Sequence, residues 1–151
     1  MKTLFISLAI STLLVAACTQ KVIEAASANV SLLSKTDLFG QWKFKSYVDR
    51  KAPIYDITIE FKEDEVGKPT LNGRSSVNFY FADYQANEAT KAFKIGVLGS
   101  TKIAGSLEAN QFESVYYEGL RNIEKYEFID KNNLVFYMTT PQKEVMYFER
   151  K

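Results

Sequence analysis

The side chains best able to do chemistry crowd into residues 71–84, LNGRSSVNFYFADY. Arg74, Ser75, Ser76 and Asn78 offer donors and acceptors where the chain changes direction. Tyr80 and Tyr84 add phenol groups, and Thr101 and Lys102 supply further polar groups from the segment 99–102. Such a group has two uses: it satisfies backbone groups as a polar clasp, or it lines a polar recognition site. The Asn72-Gly73 step ahead of it predicts a tight turn with positive φ. Nucleophilic catalysis of the usual kind is excluded, because the chain has no histidine and a single cysteine, Cys18. A serine or cysteine nucleophile then lacks an imidazole base, and a zinc site built on His and Cys lacks its ligands. Carboxylates are left. Asp83 and Glu113 would be the pair for hydrolysis if they faced each other across a cleft, but nothing in the sequence makes them converge. Glu60, Glu63, Asp64 and Glu65 could hold a hard cation, yet they lack the ligand spacing and glycine of a calcium loop and read as a solvated turn. The chain is therefore not expected to be an enzyme, and neither a metal nor a cofactor is expected.

These residues need a scaffold and an address. A chain of 151 residues with 46% hydrophobic and 14% aromatic content fits one domain with a real core. Most of the aromatic load is Phe (11) and Tyr (9), which leans toward β structure. The N-terminus reads MKTLFISLAISTLLVAAC: a positive Lys2, an apolar run over 4–15, two alanines and Cys18. This is a secretory signal, and the run is shorter than the roughly 20 apolar residues that span a bilayer. Val15-Ala16-Ala17-Cys18 resembles the lipobox of bacterial lipoproteins. The resemblance implies a signal peptide over 1–17, palmitate-type lipid on Cys18, and, because Thr19 rather than Asp follows, anchoring in the outer membrane facing the periplasm. The expected partners are the membrane, through that lipid, and an unknown envelope protein or small ligand. Loss of 1–17 removes Lys2 and no acid, leaving 18 basic against 18 acidic side chains. A neutral domain has no basic face for nucleic acid. Residues 18–35 read as a tether and 36–151 as the folded domain.

Within that domain, Trp42, Phe44, Ser46 and Val48 alternate with Lys43, Lys45 and Tyr47, and after a turn over 49–53 Tyr55, Ile57, Ile59 and Phe61 alternate with Asp56, Thr58 and Glu60. Both are strand patterns with one solvated face. Val77, Phe79 and Phe81 alternate against Asn78 and Tyr80, and residues 92–97 form another short strand. Over 107–120 the period changes: Phe112, Val115, Tyr116, Leu120 and Ile123 recur at three- and four-residue steps, which predicts a helix. Its start is either an Asn110–Glu113 capping box or a point nearer Ser106. Strands at 126–129, 134–138 and 145–148, with hairpin connections at 131–133 and 141–143, close the chain as a β-meander.

Two further resemblances bear on fold. Gly40-x-Trp42 at the start of the first strand is similar to lipocalins, in which the tryptophan packs beneath a late arginine; Arg150 would be that arginine. This raises the alternative of a lipocalin-like carrier of hydrophobic ligands, or a small β-barrel inhibitor of a secreted hydrolase, although the mature chain leaves little length for eight long strands and a helix. The segment Asn72-Gly73-Arg74-Ser75-Ser76-Val77-Asn78-x-Tyr80-x-x-x-Tyr84, taken with LFGQW before it, GSTKIAG at 99–105 and ESVYYEGL after it, resembles the META domain, the HslJ-like family of bacterial envelope and stress-associated proteins. Gly73, Asn78, Tyr84 and Thr101 are kept, while Val77 and Gly105 stand where that family has cysteines. The resemblance implies an α+β, mainly antiparallel fold: a strongly bent sheet or small barrel-like meander with one packed helix. It also implies an envelope-maintenance or stress role exerted through binding.

Overall fold

In the computed structural model, the two-residue alternation that dominates the sequence from Gly40 onward becomes antiparallel sheet. The structure describes residues 35–48, 52–139 and 144–151. The export signal with Cys18, the tether up to residue 34, the turn residues 49–51 and the connection 141–143 lie outside the described residues. A 3-10 turn, Lys35–Leu38, leads into strand β1 (Gly40–Tyr47). There follow β2 (Thr58–Glu63), β3 (Pro69–Arg74), β4 (Phe79–Ala86), β5 (Phe93–Ile95) and the two-residue β6 (Gly99–Ser100). Helix α1 (Leu107–Arg121) precedes β7 (Ile123–Asp130), β8 (Asn133–Met138) and β9 (Glu144–Arg150).

The sheet runs in the order β5-β4-β3-β2-β1-β9-β8-β7, with β6 added beside β4. Its two ends come together: Ala92 bridges Lys125, and the Tyr126 amide donates to the Lys91 carbonyl at 2.9 Å. The result is a nearly closed barrel with one seam and one helix, the bent, mainly antiparallel α+β fold the sequence implied. Eight strands do fit the available length, because none exceeds eight residues. Aromatic rings fill the interior. Phe93 and Phe136 lie 4.8 Å apart by ring centroid, Phe44 and Phe148 5.3 Å, and Phe61 and Tyr84 5.3 Å, mostly edge to face as the ring quadrupoles favour. Helix α1 adds Tyr116 and Leu120, both fully buried.

One turn of chain seals the barrel beside Trp42. The indole Nε1 donates to the Leu38 carbonyl at 2.8 Å, and the Arg150 guanidinium lies 4.2 Å above the ring. Arg150 then donates to three carbonyls, those of Lys131 (3.0 Å), Phe39 (3.0 Å) and Asp37 (2.5 Å). Gly40 permits this at φ 111°, a conformation side chains rarely adopt, with the space for a Cβ only 3.2 Å from Arg150 Nη1. The Gly40-x-Trp42 signature thus has its arginine, but it closes a barrel packed with rings.

Several expectations are corrected. A bulge between Phe44 and Ser46 shifts the register of β1, so Tyr47 turns inward and Val48 outward. Asn72 and Gly73 form no turn: both lie inside β3, and Gly73 is a glycine because a Cβ there would fall 2.1 Å from the Thr58 carbonyl and 2.6 Å from the Tyr80 hydroxyl. On β4 the inward residues are Tyr80, Ala82 and Tyr84, while Phe79 and Phe81 face solvent at 57% and 62% exposure. The strand expected over 92–97 narrows to Phe93–Ile95, although the Gly96 amide still donates to the Asp83 carbonyl of β4 at 2.8 Å. Helix α1 takes the second of its two expected starts, with Ser106 as the cap whose hydroxyl accepts from the Ala109 amide, but Val115, expected on the apolar face, is on its solvent side.

Candidate functional site

The reversal between β3 and β4 is made by Ser75-Ser76-Val77-Asn78, and its polar side chains turn inward onto the first half of α1. Ser75 and Asn78 are 1% and 4% exposed. The Ser75 amide donates to the Asn78 carbonyl at 2.8 Å, closing the turn. The Asn78 side chain uses its whole capacity. Nδ2 donates to Glu113 Oε1 (2.7 Å) and the Ile103 carbonyl (3.2 Å), and Oδ1 accepts from the Thr101 hydroxyl (2.7 Å) and the Ile103 amide (2.7 Å). Asn78 therefore joins three elements: the β3–β4 turn, the segment after β6 and the helix.

Glu113 sits at the centre. Its Oε2 accepts from the Asn78 amide at 2.9 Å and from the Ser75 hydroxyl. Ser75 has one proton, and the charged carboxylate makes the stronger bond; its oxygen in turn accepts from the Tyr117 hydroxyl at 3.2 Å. Burial pushes the Glu113 carboxyl up, but the donors from Ser75, Asn78 and the Val77 backbone outweigh it and hold the group below the usual carboxylate range. A carboxylate so stabilised is a weak base, and Ser75 has no exposed face for a substrate. This geometry holds charge in place rather than moving protons.

The remaining sequence candidates scatter. Ser76 ties the turn to the helix by donating to the Ala109 carbonyl at 2.7 Å. Thr101 belongs to the cluster through Asn78, and its hydroxyl also accepts from the Phe79 amide at 3.2 Å. Tyr80 lies one step deeper. Its proton goes to the Thr58 carbonyl (2.9 Å), so Tyr116 is the donor in the contact between the two phenols at 2.8 Å. Tyr84 is apart from the cluster: it packs on Phe93 and Phe61, has no hydrogen-bond partner for its hydroxyl among the described residues, and is pushed up to about 12 by burial and then by Glu63 and Tyr126. Arg74 is on the outer face with its guanidinium 5.9 Å from the Phe79 ring, and Lys102 is exposed. Asp83 pairs with Lys68 at 2.7 Å on the outer face of β4, whereas Glu113 meets the Asn78 side, so the two carboxylates do not converge. Asp64 caps its own loop, accepting from the Val66 and Lys68 amides.

Glu113 is the residue the sequence reading undervalued. In the sequence it reads as half of a capping box or as a carboxylate partner for Asp83, yet its spacing from Ala109, Tyr116, Tyr117 and Leu120 puts it on the buried helix face, where an acid requires donors.

Residues 36–151 match the family profile described as META domain. The chain belongs to the META domain family. Among solved structures, the META domain here is similar to a protein from Burkholderia xenovorans solved by NMR, at 17% identity and a TM-score of 0.58, covering 85% of this chain and 87% of that one. It is also similar to a DUF4847 family protein from Bacteroides vulgatus solved by crystallography, at 17% identity and a TM-score of 0.53, covering 76% of this chain and 94% of that one. At these identities the likeness is one of fold. No curated protein matched the sequence. In this META domain the two positions where the family resemblance puts cysteines adjoin each other: a Cβ on Gly105 would lie 2.4 Å from Val77 Cγ2. The valine fills the space that a second side chain would need.

Proposed function

We propose that the chain is a lipid-anchored protein of the bacterial outer membrane whose META domain acts as a rigid, non-catalytic binding scaffold in envelope maintenance or stress. The observation that carries the non-catalytic half is the closed account of the polar cluster. Asn78 uses every side-chain donor and acceptor within the fold, and Ser75 is buried against a carboxylate held below its usual range. The anchoring half is supported by the sequence Val15-Ala16-Ala17-Cys18, with its apolar run and Lys2 ahead of it. The carrier reading has the Trp42–Arg150 stack in its favour, but the interlocked rings of Phe44, Phe61, Phe93, Phe136 and Phe148 occupy the interior a ligand would need.

Metabolic labelling with radioactive palmitate tests the anchor. The wild-type protein is expected to take up label and to fractionate with outer membranes, and Cys18→Ser to do neither. Label-free wild-type protein, or label that persists in Cys18→Ser, would refute it.

A further inference from the structure

The outer face of β2, β3 and β4 has a feature that neither folding nor the polar cluster uses. Phe79 and Phe81, two residues apart on β4, both point to solvent at 57% and 62% exposure. Isolated surface aromatics are ordinary, but a pair of rings on one sheet face, bordered by hydrogen-bonding side chains, marks a contact surface. Neither ring is loose. The tip of Phe81 lies over Gly99 of the neighbouring β6, so closely that a Cβ there would meet it at 2.6 Å. Phe79 is opposite Arg74 in the β3–β4 register, with the guanidinium 5.9 Å from its centroid. Beside the rings runs a shallow groove of 380 Å³ whose polar lining includes Gln41, Glu60, Asn72 and Arg74. In cross-strand register Gln41, Glu60, Asn72 and Phe81 form one row.

We infer that this face is a saccharide platform that takes a neutral polysaccharide strand. The inference rests on the reading of the domain as a binder, and not on the lipid anchor. Three features of the face select that ligand. An aromatic face carries negative quadrupole and attracts the polarised C–H groups on the apolar side of a sugar ring, while a carboxamide or carboxylate beside it pairs with the hydroxyls on the ring edge. The charges on the face are largely matched locally: Lys62 lies 3.7 Å from Glu60, and Lys43 2.8 Å from Asp56. The Asn72 amide, oriented by its neighbours, gives its N–H to Glu60 at 3.1 Å and accepts from Lys62 at 3.0 Å. A polyanion gains little there, and a neutral ligand loses little. Finally, the groove is lined by residues of four adjacent strands, β1 to β4, which suits a strand lying across them.

The test is an amide chemical-shift titration of the purified, 15N-labelled full chain with chitohexaose and, separately, cellohexaose. At least one is expected to shift the amides of Gln41, Glu60, Asn72, Phe79 and Phe81 together. Phe81→Ala should weaken that binding by about tenfold, and Asn72→Ala, which leaves the ring on Gly99 intact, should weaken it severalfold at unchanged melting temperature. The inference is overturned if neither hexasaccharide shifts these amides at millimolar concentration, if the shifts cluster elsewhere, or if they survive in both variants. It is also overturned if the same amides shift with protein concentration alone, which would make the face a contact between copies. Each of these results leaves the palmitate experiment free to succeed or fail by itself.

Discussion

Asn78 ties its own turn to two separate pieces of chain through one carboxamide, which is why a short turn residue outweighs its size. Removing the side chain takes one partner each from Glu113 Oε1, the Ile103 carbonyl, the Ile103 amide and the Thr101 hydroxyl. Asn78→Ala should therefore lower unfolding free energy by about 1 to 3 kcal/mol, the range for buried polar groups left unsatisfied, measured by urea denaturation. Glu113 makes the same network sensitive to pH. Its folded-state carboxyl is held below its ordinary value, so its stabilising contribution is complete above the unfolded value of about 4.3 and is lost as pH falls through the lower folded value. Glu113→Gln should be less stable at pH 7, because its amide presents N–H groups to donors. The gap from wild type should narrow as pH drops below about 4.3, a convergence that urea midpoints at several pH values would detect.

At the scale of elements, the strands joined by local turns were legible and those governed by distant contacts were not. The turn between β7 and β8 is written in its own residues, since the Asp130 carboxylate accepts from the Asn132 amide and the Asn133 side chain. Asn72-Gly73 looked like a turn for the same local reason, but the demand for glycine comes from Thr58 and Tyr80, which nothing in the dipeptide reveals. The outward facing of Phe79 and Phe81 has a similar origin: Tyr80 must point inward to reach Thr58 and Tyr116, and alternation then leaves the phenylalanines outside. In the polar cluster, Ser75, Asn78 and Thr101 could be grouped by type and position, while Glu113 could not be joined to them, because only the fold sets α1 against the turn. Two substitutions follow. Gly73→Ala should destabilise by on the order of 3 kcal/mol, the upper part of the overpacking range, because a backbone carbonyl cannot retreat as a side chain can; thermal melting would register it. Val77→Cys combined with Gly105→Cys should form a disulfide on air oxidation, visible as two blocked thiols by alkylation and mass measurement, and should add about 3 kcal/mol. Gly105→Cys alone, meeting Val77, should be destabilising.

At the scale of the whole domain, the described residues form a barrel that encloses its own side chains. The Trp42–Arg150 seal, the ring-filled interior and the seam bridged at Ala92 and Lys125 close it around that core. The polar cluster that looked most like an active site fastens α1 and the segment after β6 to the β3–β4 turn, and that fastening is the central claim. Native-state amide hydrogen exchange measures it directly. The amides of Ser75, Asn78 and Ile103, each donating within the cluster, should exchange only through global unfolding, as slowly as those of β8 in the barrel wall. Exchange at these three positions orders of magnitude faster than in β8 would mean that the cluster opens on its own in the folded protein, as a recognition loop would, and would contradict the claim.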